Sequence, residues 1–152
     1  MLSEAVGRRM PVGRREIDFL IVAGARERQV AALPRALDRF QVWKTLWAGV
    51  RNGDYSPREL QKRLVEEGIV IVEAQAGQTF ELGKGARLRV VAVTRRGAVL
   101  YLEWNKFRAM LPVGMDFESQ KILMQDPHLG EMTVLLLADE GYAALNSRQW
   151  IE

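Results

Sequence analysis

The sequence predicts an α/β fold that begins with strand–helix units and continues into an antiparallel meander. Two observations carry this prediction. Apolar residues near the start recur with helical spacing after a short apolar run, whereas residues 79–111 alternate with a period of two between turn residues. Helices should therefore pack on at least one sheet. At 152 residues, the chain is expected to form one domain with its own core.

The composition excludes several kinds of chemistry. The chain has no cysteine, so disulfides and thiolate-bound zinc or iron–sulfur clusters are excluded. A single histidine, His128, rules out a multi-histidine metal site within one chain. Any Ser/His catalysis would have to use His128, which lies in a turn-like segment, Gln-Asp-Pro-His-Leu-Gly, and is expected to be a surface residue. The net charge of +3 makes the chain only mildly basic, without the dense basic stripe that is typical of dedicated nucleic-acid-binding proteins.

No segment of the sequence suggests membrane insertion. The longest apolar runs, such as Met132–Ala138, are far shorter than the ~20 residues that a membrane-spanning helix needs. The first ten residues, MLSEAVGRRM, contain no signal-peptide apolar core. By default we expect a soluble, cytoplasmic chain.

The first strand–turn–helix unit is the most informative stretch. Phe19–Ala23 is short and apolar, as in a buried strand, and Gly24–Gln29 is a polar turn. One helix face follows, with apolar residues spaced 3, 4 and 3 apart: Val30, Leu33, Leu37 and Phe40. Pro34 fits only in or near the first turn of this helix. Open α/β folds keep their sites at the carboxyl ends of strands, so any chemistry is expected in Gly24–Gln29.

A second unit follows with clearer boundaries. Gln41–Val50 is an extended candidate. The sequence Ser56-Pro57-Arg58-Glu59 predicts a helix start, with serine as N-cap and glutamate closing a capping box. Gly68 should end that helix in a left-handed conformation. The β-branched run Ile69–Glu73 predicts a buried strand.

The remaining predicted strands and helices lie in the meander and in the last third of the chain. Turn residues separate four short alternating segments: Thr79–Leu82, Ala86–Thr94, Ala98–Trp104 and Phe107–Leu111. Asp116 should cap a helix reaching about Gln125, and Met132–Ala138 is a continuous apolar strand. Asn146 is expected to cap a final short helix.

Several stretches together resemble one family. The turn and helix start GARERQVAALP is similar to the pattern His-x-(His/Asp)-x-Asp-His-x-Gly-Gly-Leu-Pro. EEGIVIVEAQAGQTFELGKGARLRVVAV and VLYLEWNKFRAMLPVGM resemble the passages that follow it, and TVLLLADEGYAALNSRQWIE resembles a passage containing His-His-Gly. The family is the C-terminal metallo-β-lactamase-like domain of the ComEC family, the bacterial competence protein that takes up DNA. The resemblance covers nearly the whole chain and implies a partial αββα sandwich with mixed sheets.

The departures from the family decide the expected activity. The resemblance implies two bound Zn or Mn ions, yet the corresponding positions here are Gly24, Arg26, Arg28, Gln29, Met115, Asp139 and Glu140. Of these side chains, those of Asp139 and Glu140 alone offer carboxylate oxygens, and guanidinium charge repels cations. Without metal there is no activated water. We therefore expect no catalytic residues, no cofactor and no family-type hydrolysis.

The resemblance also implies a shortened domain. The family's first strands precede the text at Ala5, and a last strand with a final ligand follows Glu152. We expect a single degenerate domain over residues 1–152, apart from the membrane channel to which the family's domain is tethered. Missing strands would leave Phe19–Ala23 or Met132–Ala138 at an open sheet edge, so we expect a homodimer or a protein partner.

Alternatives remain for the charged and aromatic residues. Arg26 and Arg28 form a possible anion-binding pair, or they are solvated or paired with neighbouring carboxylates. Asp139 and Glu140 are a possible acid/base pair, although adjacent strand residues point to opposite faces. Three arginine pairs either bind nucleic-acid phosphates or are solvated charges at turns and strand ends: Arg8-Arg9, Arg14-Arg15 and Arg95-Arg96. The four tryptophans have two alternative roles, stacking on nucleic-acid bases or packing in the core or at an interface: Trp43, Trp47, Trp104 and Trp150.

The favoured hypothesis is a non-catalytic binding or structural domain. The alternatives are a residual metal-dependent hydrolase or nuclease that uses Asp139 and Glu140, and metal-free binding of DNA or phosphate through Arg26 and Arg28.

Overall fold

The computed structural model describes Gly13 and residues 15–49, 55–116, 134–136, 144–146 and 149–151. This described part of the chain is mixed α/β and contains two sheets. It divides into two compact units, Met1–Glu73 and Ala74–Glu152, which we call unit 1 and unit 2. The single domain over residues 1–152 stays a prediction.

Unit 1 is a β-α-β-α-β arrangement. Its strands are β1 (Glu16–Val22), β2 (Gln41–Trp47) and β3 (Val70–Glu73), which form a parallel sheet in the order β1-β2-β3. The helices are α1 (Glu27–Val30), α2 (Leu33–Leu37) and α3 (Tyr55–Glu66). The two predicted strand–helix units are confirmed.

The core of unit 1 lies between the helices and the sheet. The predicted helical stripe is buried or partly buried, and Leu60 and Leu64 of α3 are fully buried beside it. Strand residues Val22 and Trp47 belong to the same cluster. Fully burying an aliphatic side chain contributes ~1.5–3 kcal/mol, so these few residues carry much of the stability of unit 1.

The single helix predicted over Val30–Phe40 is wrong, because the chain forms two short helices there. Pro34 lies at the start of α2, where a missing N–H costs nothing. In a continuous helix, its ring would clash with the carbonyl of Val30, four residues earlier. The break at Ala31 and Ala32 removes that clash and keeps the apolar stripe facing the core.

Two further predictions in unit 1 need correction. The helix α3 begins at Tyr55, so Ser56 lies inside its first turn and is not the N-cap. Gly68 does adopt φ 71°, which confirms the left-handed end. Strand β3 was predicted as buried, yet Val70 is 58% exposed, because β3 is an edge of the described sheet.

Unit 2 is built around the antiparallel meander, which is confirmed. Its strands are β4 (Thr79–Gly83), β5 (Ala86–Thr94), β6 (Gly97–Trp104) and β7 (Phe107–Pro112), each paired with the next. Glycines at positive φ and Lys84 at φ 52° form the first hairpin turn, as expected at Gly83-Lys84-Gly85.

Three short strands extend this sheet to seven in the order β10-β9-β8-β7-β6-β5-β4. They are β8 (Val134–Leu136), β9 (Ala144–Asn146) and β10 (Gln149–Ile151). The final helix predicted after Asn146 is therefore wrong, because backbone pairing of β9 with both β8 and β10 takes precedence over the local capping signal. The helix predicted from Asp116 to Gln125 lies beyond the described residues, apart from Asp116 itself.

Candidate functional site

The candidate site in unit 1 is the turn after β1, at the carboxyl end of the parallel sheet. Gly24 is buried, whereas Arg26 and Gln29 are exposed. The backbone of Arg28 lies in α1 as its second residue. The predicted turn therefore exists, but it is short and passes directly into a helix.

The start of this turn is closely packed against the end of β2. A Cβ atom added to Gly49 would clash with the Cβ of Ala25 and would come within 3.2 Å of its backbone nitrogen. Only glycine at position 49 allows this approach of the two backbones. The space between Ala25 and Gly49 is thus filled by backbone contact.

Gln29 forms part of a local cap. Its side-chain Oε1 accepts a hydrogen bond from the backbone N–H of Arg26 at 3.1 Å, and its own N–H donates to the Arg26 carbonyl at 2.9 Å. These reciprocal bonds satisfy backbone N–H groups that would otherwise lack hydrogen-bond partners at the start of α1. The Gln29 amide, at a position where the resemblance implies a ligand, is therefore engaged in holding the backbone of α1.

Glu27 has a role that the sequence did not reveal. Its Oε2 accepts a hydrogen bond from the backbone N–H of Ser56 at 3.0 Å, and its Oε1 accepts one from the Ser56 hydroxyl. The bonds from the Ser56 hydroxyl and then from its N–H lower the pKa of Glu27 below its ordinary value. Glu27 therefore caps the start of α3 from a segment 29 residues away. A glutamate in a turn gives no sequence signal for such a distant partner.

The second predicted ligand position lies in unit 2, after β7. Met115 follows Gly114, whose N–H donates to the Ala98 carbonyl at 2.9 Å and whose carbonyl accepts from Thr94 Oγ1 at 2.6 Å. A thioether at position 115 is a poor ligand for hard or borderline cations. Asp139 and Glu140, together with His128, lie outside the described residues.

A metal centre of the family type does not fit the described positions. Within residues 15–49 and 55–116, no three His, Cys, Asp or Glu side chains lie close enough to hold a metal ion. The turn after β1 carries guanidinium and amide groups, and the turn after β7 carries a thioether. We therefore derive no reaction step through a metal.

The basic and aromatic candidates differ in exposure. Arg15, Arg95 and Arg96 are exposed, whereas residues 8, 9 and 14 lie outside the described part of the chain. Trp47 is 2% exposed, which confirms core packing, whereas Trp43 and Trp104 lie at the surface, so that interface packing and base stacking stay predictions for these two. For Trp150 the structure gives only a backbone position in β10.

No family model and no curated protein matches the chain.

No helix among the described residues is long and apolar enough to cross a membrane.

Proposed function

We propose that the chain is a non-catalytic domain of the metallo-β-lactamase type, related to the C-terminal domain of ComEC competence proteins, with a binding or structural role and no metal. One observation carries the proposal. In the turn where the family has metal ligands, Gln29 caps α1 and Glu27 caps α3. Side chains engaged in holding two helices are not free to reorganise around cations.

The charge of the turn supports the same conclusion. Arg26 stands at a position where the resembled family has a ligand, and the Arg28 backbone lies at another. A guanidinium stays protonated at any physiological pH and has no lone pair available for a metal. Two divalent cations beside these residues would lack the anionic or imidazole ligands that they need.

A residual hydrolase is the enzymatic alternative. It would use Asp139 and Glu140 to hold a cation weakly and activate water. The metal content of the purified chain distinguishes this residual hydrolase from the non-catalytic domain. We expect less than one equivalent of Zn or Mn by elemental analysis, and no phosphodiesterase activity after addition of either ion. One equivalent or more of bound metal together with such activity would overturn the proposal.

The third candidate is DNA or phosphate binding through Arg26 and Arg28. It is favoured by the exposure of Arg26 at the start of α1. A gel shift with duplex DNA at rising salt tests it, because phosphate contacts weaken steeply with salt. No shift at low salt, or a shift that Arg26→Ala plus Arg28→Ala leaves unchanged, would rule this candidate out.

The sheet edges support a partner. In the described part of unit 1, β1 and β3 are the two edges, whereas β8 lies between β7 and β9 in unit 2. Of the two edges considered from the sequence, we therefore retain β1, whose backbone offers hydrogen bonds to a second copy or another protein. Size-exclusion chromatography with light scattering, together with thermal denaturation, tests this, and a monomer of high thermal stability would contradict it.

A further inference from the structure

Unit 2 contains a cavity that the proposed function does not use, although one of its lining residues, Met115, stands at a position where the resemblance implies a ligand. Its volume is about 510 Å³, and it opens between the turn joining β5 to β6 and the turn after β7. Apolar side chains form its walls, among them Val91, Val99 and Met110, and Arg95 and Arg96 line it from the turn. Pockets of ~300–1,000 Å³ with apolar walls and a few placed polar groups are typical of small-molecule sites.

A β-bulge shapes one wall. Val90 pairs with Leu100 and Ala92 pairs with Val99, so Val91 is an extra residue in β5. Bulges bend a strand and redirect a side chain, and they are frequent beside binding sites. Val91 is 43% exposed and lines the cavity, which places an apolar surface next to the arginine-bearing turn.

Hydrogen bonds fix the two turns against each other. Thr94 Oγ1 donates to the Gly114 carbonyl at 2.6 Å and accepts from the Arg96 N–H at 3.1 Å. A Cβ on Gly114 would lie 2.5 Å from the carbonyl oxygen of Gly97, so the approach requires glycine. The rim is therefore preorganised, which reduces the entropy that a ligand would lose on binding.

The charge at this rim favours an anion. Arg95 and Arg96 are both exposed, and Arg95 forms no ion pair with any described residue. Asp116 also lines the cavity, so the three charged lining residues sum to +1. Guanidinium groups bind carboxylate and phosphate oxygens through charge-assisted hydrogen bonds.

We propose that this cavity binds a small amphipathic anion, a carboxylate or phosphate monoester attached to an apolar chain. The anionic head would lie at Arg95 and Arg96, and the apolar part would lie against Val91 and Met110. This proposal rests on unit 2 alone. It would survive the discovery of a metal at Asp139 and Glu140.

Calorimetric titration of the full chain tests the proposal with defined probes below their micelle concentrations. Octyl phosphate and octanoate represent the two head groups, and octanol and inorganic phosphate represent the separate halves. We expect at least one amphipathic anion to bind about tenfold or more tightly than either half, because head and chain contribute together. Equal binding of octanol and the anions would overturn the proposal. So would displacement of octyl phosphate by single-stranded DNA, which would indicate a nucleic-acid surface.

Variants locate the site. Arg95→Gln plus Arg96→Gln should weaken binding of the preferred anion about tenfold or more, since each lost charge-assisted bond is a substantial part of the affinity. The matched control, Arg35→Gln plus Arg39→Gln, removes the same charge from exposed positions in unit 1 and should leave the affinity unchanged. Asp116→Asn should tighten binding. Unchanged affinity of the Arg95/Arg96 variant, with a native circular dichroism spectrum, would overturn the assignment.

Discussion

The polar turn residues of units 1 and 2 differ in what they contact. In unit 1 the contacts that hold the turns join distant segments: Glu27 binds Ser56, and Arg63 donates to the Pro34 carbonyl at 2.7 Å, each across 29 residues. In unit 2, the Arg96 N–H donates to Thr94 Oγ1 within one turn, and Thr94 Oγ1 donates to the Gly114 carbonyl across 20 residues, beside an open cavity whose arginines are exposed. Unit 1 therefore uses polar groups of the turn after β1 to hold its helices, while the turn between β5 and β6 in unit 2 exposes two arginine side chains.

Arg63 shows how far this use extends in unit 1. Besides the Pro34 carbonyl, it contacts Asp38 at 2.9 Å and Glu67 at 2.7 Å. Its bond to Glu67, and to a lesser extent that to Asp38, raises the pKa of the guanidinium above its ordinary value. One side chain on α3 thus ties the start and end of α2 to the end of its own helix.

The largest expected effect tests whether α3 anchors unit 1. Leu64→Ala removes a fully buried side chain from the core and should lower the free energy of unfolding by about 3 kcal/mol, the sum of lost burial and the cavity left behind. Urea denaturation followed by circular dichroism measures it. The neighbour Val65 is 66% exposed, so Val65→Ala is the matched control and should change little. Equal losses for both variants would contradict the core assignment.

The second-largest expected effect tests the close contact between the two turns that frame the cavity in unit 2. Gly114→Ala forces a methyl group towards the Gly97 carbonyl and should cost roughly 2 kcal/mol while separating the two turns that frame the cavity. Chemical denaturation should show the loss, and titration with octyl phosphate should show weaker binding. Thr94→Val, which removes the bond to Gly114 but adds no bulk, serves as the milder comparison. Full stability of Gly114→Ala would show that the turns are not in close contact.

Glu27 should make the stability of the folded chain depend on pH. Its lowered pKa means that its ionised form stabilises the folded state. This contribution is complete above the ordinary glutamate pKa and disappears as the pH falls through the lowered folded value. Glu27→Gln should therefore lower the urea midpoint at pH 7 and leave it unchanged at strongly acid pH.

Glu59→Gln is the charge-matched control, because Glu59 is an exposed carboxylate in the same helix, α3. At pH 7 it should leave the urea midpoint close to the wild-type value. A midpoint for Glu27→Gln equal to the wild-type value at pH 7 would remove the structural role that we assign to Glu27.

The smallest effect concerns the exposed aromatic residue of the meander. Trp104 Nε1 donates to the Lys84 carbonyl at 3.1 Å, which joins the end of β6 to the first hairpin turn. Trp104→Phe should cost no more than about 1 kcal/mol, since the bond is solvent-accessible. Trp43→Phe, at another exposed tryptophan, is the comparison in denaturation experiments. A larger loss at Trp43 than at Trp104 would contradict this role.

Local signals predicted unit 2 best. The turn at Gly83-Lys84-Gly85 and the strand Ala86–Thr94 follow from the sequence with their observed bounds, because hairpins are specified by neighbouring residues and a period of two. The bulge at Val91 was missed, since it depends on the register against β6. At Asn146 a local helix signal was overridden by strand pairing.

The candidate site was harder to predict, because its contacts are distant in sequence. The position of the turn follows from the apolar run before it and the stripe after it. The partnership of Glu27 with Ser56 arises only when α1 and α3 lie together, and the close approach of Gly49 to Ala25 arises only when β1 and β2 lie side by side. Likewise, the exposure of Val70 follows from the edge position of β3, which no local pattern records.

The burial of Trp47 has a spectroscopic consequence. Its indole Nε1–H lies in the core without a hydrogen-bond partner among the described residues, and Thr45 Oγ1 on the same strand is likewise buried and unpartnered. An indole in such apolar surroundings should emit at short wavelength, and its N–H proton should exchange slowly with deuterium. Trp104, 49% exposed, should emit like a solvated indole. Each unit thus contains its own optical reporter, and single-tryptophan versions of the chain would show which unit unfolds first.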